Sequence, residues 1–173
     1  MKNKFLTWIG LGIAAAVVLV FALPQCRQCE STIAGKAAPD FDFELNGKPA
    51  RLAGLRGNVV VLNFWATWCP PCVEEMPALN RLHQQLAAQG VVVLGVSVDE
   101  DAAAYDRFLR QQQIAFPTYR DPAKKISSTY GTVMFPETYI IGRDGRIARK
   151  IIGAQTWDSP DLVSYLQSLL RMK

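Results

Sequence analysis

The chain has 173 residues, of which 50% are hydrophobic, 20% are charged and four are cysteine. That is enough for one globular domain with an appendage; it is too apolar for a disordered chain and too poor in cysteine for a small disulfide-stapled scaffold. Without Lys2 and Lys4 the net charge of +4 falls to 17 basic against 15 acidic residues, with no basic run longer than Arg149-Lys150, which argues against the clustered basic face of a nucleic-acid binder.

Residues 5–23 read FLTWIGLGIAAAVVLVFAL, 19 residues without a charge. As a helix they would span about 28 Å, close to the ~30 Å hydrocarbon core of a bilayer. Lys2 and Lys4 precede them, and the positive-inside rule keeps such residues in the cytoplasm while the rest of the chain crosses. The expectation is a cytoplasmic stub and inner-membrane anchor over 1–23, a tether over 24–37 and an extracytoplasmic domain over 38–173. A cleaved signal peptide competes. Its apolar core would be long, and Leu23-Pro24 follows awkwardly after a Val20-Phe21-Ala22 cleavage site. The tether carries Cys26-Arg27-Gln28-Cys29. That pair reads as a passive disulfide, a second redox pair, or a site for a soft metal or lipid, and the residues do not separate these.

Residues 58–65, NVVVLNFW, form a β-branched apolar run suited to a strand buried on both faces. Residues 70–89 carry Met76, Leu79, Leu82 and Leu86 at helical spacing, and Gly90 marks the end. A second buried strand is expected over 91–98. Asp99, Glu100 and Asp101 suit a helix start, and Tyr105, Phe108 and Leu109 give that helix a face. Residues 117–120 read as a short strand and 122–130 as a short helix. Residues 137–142 and 146–152 flank Arg143-Asp144-Gly145, a hairpin signal. Residues 158–171 close the chain as an amphipathic helix through Leu162, Tyr165, Leu166 and Leu169. A βαβ unit followed by an antiparallel pair implies an α/β fold, with a mixed sheet covered by helices on both faces.

The chemistry sits in Trp68-Cys69-Pro70-Pro71-Cys72, between a buried strand and a helix. Two intervening residues let the sulfurs meet across the first helical turn. Free N–H groups and partial positive charge at the helix start stabilise a thiolate below its ordinary pKa of about 8.5. Disulfide exchange needs a thiolate that is both nucleophile and leaving group. Pro71 costs nothing in the first turn, and Pro70 stiffens the loop. A plain structural disulfide and a zinc half-site are the alternatives. Zinc would need two more ligands, and His83, the only histidine, fits a structural position at the edge of the Leu79–Leu86 stripe. No metal and no cofactor beyond a redox-active Cys69–Cys72 disulfide is expected.

The stretch VVVLNFWATWCPPC resembles the active-site strand and loop of the thioredoxin superfamily. It is most similar to the membrane-tethered TlpA/ResA-like and CcmG/DsbE-like thiol:disulfide oxidoreductases, over about residues 38–171. APDF at 38–41, GKPARLAGLRG at 47–57, Pro77 and Phe135-Pro136-Glu137-Thr138 strengthen the resemblance. It implies a thioredoxin fold, Cys69 as the exposed nucleophile, Cys72 as the resolving thiol and Pro136 as a cis-proline beside the sulfurs. Trp68, Pro70, Pro71, Phe135 and Pro136 would form the substrate-binding surface, while Trp65 reads as core. Asn63 stands where cytoplasmic thioredoxin has a buried Asp. Glu75, three residues past Cys72 on the same helix face, is the candidate replacement proton acceptor; a solvated acid favouring the helix start is the other reading. Glu137 is a weaker candidate for substrate contact.

The resemblance further implies reduction of protein disulfides, with apocytochrome c in cytochrome c maturation as a candidate substrate. A DsbD/CcdA-type membrane carrier would be the electron donor. An oxidase or isomerase on the same fold is an alternative, because relative thiol stabilisation sets the direction of exchange. A peroxidase would place its cysteine in a different loop. A copper chaperone of the Sco kind would carry CxxxC and a distal histidine.

Overall fold

The computed structural model describes residues 33–45 and 47–172. The expected anchor at 5–23 and the Cys26/Cys29 pair lie outside them. Among the described residues no helix is long and apolar enough to cross a membrane. The elements in order are β1 (Asp42–Leu45), β2 (Lys48–Arg51), β3 (Val59–Trp65), α1 (Pro70–Leu86), β4 (Val91–Ser97), α2 (Ala102–Gln111), β5 (Thr118–Arg120), α3 (Lys125–Thr129), β6 (Glu137–Ile141), β7 (Ile147–Ile152) and α4 (Pro160–Arg171).

The main sheet has five strands in the order β5-β4-β3-β6-β7. β3 is central and buried at every position, as its uninterrupted apolar run requires. It pairs in parallel with β4 and antiparallel with β6, with Asn63 opposite Gly95 and Thr138. One face carries Val59, Val61 and Trp65 from β3, packed against Met76, Leu79, Leu82 and Leu86 of α1 and Val163, Leu166 and Leu169 of α4. The other face carries Val60, Leu62 and Phe64, packed against Phe43, Leu52, Ile126 and Tyr130. The β1–β2 hairpin and the short α3 therefore cover the second face, not a second pair of long helices. The architecture is a thioredoxin-like α/β fold.

The hairpin at 42–51 is not among the elements expected from sequence, although Asn46-Gly47 is itself a hairpin dipeptide. Its strands are four residues each and bury Phe43 alone, too little for an apolar alternation to register. The helix expected over 70–89 leaves α-geometry at Leu86, continues as a 3-10 turn over Ala87–Gln89, and stops at Gly90 with φ 99°. Pro70 is the first residue of α1, not part of the preceding loop. Its fixed φ suits that position, where no N–H is needed. Asp101 caps α2 through the N–H groups of Ala103 and Ala104, while Asp99, also expected at that helix start, turns elsewhere.

The chain joins the domain ahead of Ala38. Gly35 N–H donates to the Ile147 carbonyl, Ile147 N–H to the Lys36 carbonyl and Arg146 Nη1 to the Gly35 carbonyl. Residues 33–37 thus hold the start of β7, at the end of the sheet opposite the cysteines.

Candidate active site

β3 ends at Trp65, and the chain turns through Ala66-Thr67-Trp68 into α1. Cys69 is the N-cap of α1 and Cys72 lies in its first turn. Their sulfurs form a disulfide, with Cα atoms 5.3 Å apart. Cys69 retains 5% of its surface and Cys72 none. Cys69 is the more accessible sulfur, yet far less open than the exposed nucleophile the resemblance implies. Both cysteines lie in the core cluster beneath α1.

The turn is fixed from behind by Asp99. This carboxylate is buried, and accepts from Thr67 N–H at 2.9 Å, Thr67 Oγ1 at 2.7 Å and Ser97 Oγ at 2.6 Å. A charge-assisted clamp of this kind holds the residue before Trp68. Three acids in a row give no hint of which one turns inward, which is why the helix-start expectation for Asp99 fails while that for Asp101 holds.

Glu75 is 3% exposed, which removes the solvated-acid reading. Its Oε1 accepts from Asn63 Nδ2 at 2.8 Å. Its Oε2 accepts from Trp157 Nε1 at 2.8 Å and the backbone N–H of Gln155 at 3.0 Å. Burial raises the Glu75 pKa above the usual 4.5, and the donors Trp157, Gln155 and Asn63 pull the other way without cancelling it. Asn63 Nδ2 also donates to Thr138 Oγ1 at 2.9 Å. Strand β3 thus supplies a donor to the acid where the corresponding thioredoxin position would supply the acid itself. Nothing in the sequence points to Trp157 or Gln155, which lie some eighty positions away and join Glu75 only through the fold.

On the open side, Trp68 is 60% exposed and meets Phe135 edge-on with ring centroids 6.1 Å apart. The Phe135–Pro136 peptide bond is cis. Val133 and Met134 precede it and are exposed, extending an apolar rim formed with Trp68 and Phe135. Pro70 and Pro71 are exposed at the start of α1. No sequence signal singles out Val133 or Met134.

Glu137 does not face this rim. It is buried on the opposite face of β6, where it accepts from Lys150 Nζ at 2.8 Å, Thr132 Oγ1 at 2.6 Å and Tyr139 OH at 2.6 Å. Substrate contact by Glu137 is corrected accordingly: the side chain is consumed by an internal network. Trp65 is fully buried, with Gly95 leaving room for its indole; a Cβ there would lie 3.0 Å from Trp65 Nε1. His83 is partly buried and touches Phe116, and burial lowers its pKa. Among the described residues no group of three or more His, Cys, Asp or Glu could hold a metal ion.

Comparison with known proteins agrees with this geometry. The AhpC/TSA family matches residues 34–150. The chain is 40% identical to a thiol-disulfide oxidoreductase ResA of Bacillus cereus, over 97% of this chain and 98% of that one. Among solved structures, a DsbE-type thiol:disulfide interchange protein of Chlorobium tepidum superposes with a TM-score of 0.73 at 29% identity, covering 79% of this chain and 97% of that one. A secreted thiol-disulfide isomerase of Corynebacterium glutamicum does so with a TM-score of 0.69 at 26% identity, covering 78% and 86%.

Proposed function

The chain belongs to the AhpC/TSA family, as a thiol-disulfide oxidoreductase of the ResA type, and from that premise we propose that it reduces protein disulfides outside the cytoplasm, tethered by residues 5–23. The observation that carries this reading is the Cys69–Cys72 disulfide at the start of α1 with Glu75 buried one turn further on.

In the reduced protein Cys69 sits where helix-terminal N–H groups and the helix dipole stabilise a thiolate. That thiolate attacks one sulfur of the substrate disulfide. The new S–S bond joins Cys69 to the substrate, and the substrate's other sulfur leaves as a thiolate. Glu75, ionised, takes the proton of Cys72. The Cys72 thiolate then attacks Cys69 Sγ, closing the Cys69–Cys72 disulfide and releasing the second substrate thiol. The substrate gains two electrons and the protein loses two. A membrane dithiol carrier of the DsbD/CcdA type restores them by the reverse exchange, since a reductase in an oxidising compartment needs such a source.

Trp68, Val133, Met134 and Phe135 give the sulfurs an apolar rim, and the backbone beside Pro136 offers pairing to an extended chain. Both suit an unfolded polypeptide such as apocytochrome c before haem attachment. Replacing Cys26 and Cys29 by serine distinguishes a passive role for that pair, which leaves exchange at Cys69/Cys72 intact, from a relay, which slows reduction in membranes.

The decisive measurement is the equilibrium reduction potential of Cys69/Cys72 in the full chain in detergent. A value near or below about −220 mV supports the reductase, whereas one near about −120 mV marks an oxidant and overturns the direction. Trapping supplies the order of events. Cys72→Ser should accumulate a mixed disulfide with a peptide disulfide, and Cys69→Ser should accumulate none.

A further inference from the structure

The segment 153–158 belongs to no strand or helix, yet it touches the site at three points. Gly153 N–H donates to the Pro136 carbonyl at 2.9 Å. Gln155 N–H and Trp157 Nε1 both reach Glu75 Oε2. Asp158 Oδ2 accepts from Arg81 Nε on α1 at 2.6 Å. The segment therefore bridges the cis-proline loop, the buried acid and the outside of α1. Trp157 is fully buried, so its indole position is set by packing, not by solvent.

A buried carboxylate is expensive unless its oxygens are satisfied. Here the two oxygens meet three N–H donors and no acceptor. Such a set favours the ionised acid, the form that can receive a proton. The Gln155 donor is backbone, and Asn63 divides its amide between Glu75 and Thr138. Trp157 is the side chain whose one polar atom is spent wholly on the acid.

We propose that Trp157 is a positioning residue for disulfide exchange: its indole N–H, delivered by the 153–158 segment, fixes Glu75 Oε2 and keeps the carboxylate ready for the Cys72 proton. The proposal rests on Glu75 as the proton acceptor. The groups around Glu75 leave little else to do this. From α1 itself come Cys72 and, at the N-cap, Cys69, which titrate when reduced. From β3 and β6 come the neutral Asn63 and Thr138. Glu137 and Lys150 pair on the other face of the sheet, and Asp158 is committed to Arg81.

The test is the pH profile of the rate at which the full reduced chain, in detergent, reduces oxidised glutathione. Glu75→Gln should remove one limb of the profile. Trp157→Phe should move that limb up by about one pH unit, the tenfold change in proton affinity expected when a charged group loses one hydrogen bond. Benzothienylalanine at position 157 keeps the ring shape, replaces N–H by sulfur and should do the same; it decides the matter if the smaller Phe disturbs folding. In a Glu75→Gln background neither change at 157 should shift the profile further. If Glu75→Gln removes the limb while both changes at 157 leave it in place, Trp157 merely fills space and the proposal is overturned. If Glu75→Gln itself leaves the profile intact, the proton-acceptor reading falls, and this inference with it.

Discussion

Glu137, paired with Lys150, shows how a single residue can be read correctly for type and wrongly for use. The ammonium is partly covered and lies 2.8 Å from a carboxylate that is almost wholly buried. Breaking such a pair from one side leaves an uncompensated charge in the core, which costs about 3–5 kcal/mol. Lys150→Met should therefore lower stability by about that much in urea unfolding. Adding Glu137→Gln should recover most of the loss, because the amide still accepts from Thr132 and Tyr139 without carrying charge. If the double variant is no more stable than the single one, the loss came from packing of the lysine stem over the Tyr139 ring, 5.2 Å below its Nζ. The same residues explain why this part of the site is hidden from the sequence. Glu137 follows Pro136 directly, so proximity along the chain suggests substrate contact. Strand alternation then sends Glu137 and Tyr139 to one face and Thr138 to the other. Cys69, Cys72 and Pro136 are legible because a spacing or a local motif carries them; Asp99 and Trp157 are not, because only tertiary contact does.

At the scale of elements, legibility follows apolar content. β3 and β4 are plain because long β-branched runs are rare outside buried strands, and α1 because its stripe persists for about three turns. The β1–β2 hairpin escapes because its strands are short and half-exposed. So do residues 33–37, which look like tether but act as part of the sheet's end. Three hydrogen bonds join Gly35, Lys36, Arg146 and Ile147 there. A chain beginning at Ala38 forfeits all three, at about 0.5–1.5 kcal/mol each. It should unfold at lower urea than a chain beginning at Ile33, by about 1.5–4.5 kcal/mol in sum, with hydrogen exchange accelerated at the start of β7 and unchanged in β3. Equal midpoints for the two chains would reduce residues 33–37 to a tether after all.

For the molecule as a whole, the cost of the site should appear in how stability depends on pH. Glu75 is buried where its proton is held more tightly than in the unfolded chain, above the ordinary value of 4.5. The native state thus binds more protons than the unfolded state in the window above that value. Stability contributed by this group is full below the unfolded pKa and is lost as pH rises through the folded one. A neutral amide at position 75 carries no such dependence. Gln can fit, because Asn63 can turn its amide to present Oδ1, which has no hydrogen-bond partner in the present arrangement. Wild type minus Glu75→Gln stability should therefore fall as pH rises above the ordinary carboxylate value of 4.5 and level off once the buried acid has ionised, with the variant equal or ahead at the alkaline end. Urea unfolding of both chains, oxidised so that the cysteines do not titrate, measures this directly. A flat difference would mean that the three donors around Glu75 fully offset its burial. The acid would then lack the raised proton affinity that, in the proposed mechanism, suits it to receive the Cys72 proton, and that step would have to run through solvent instead.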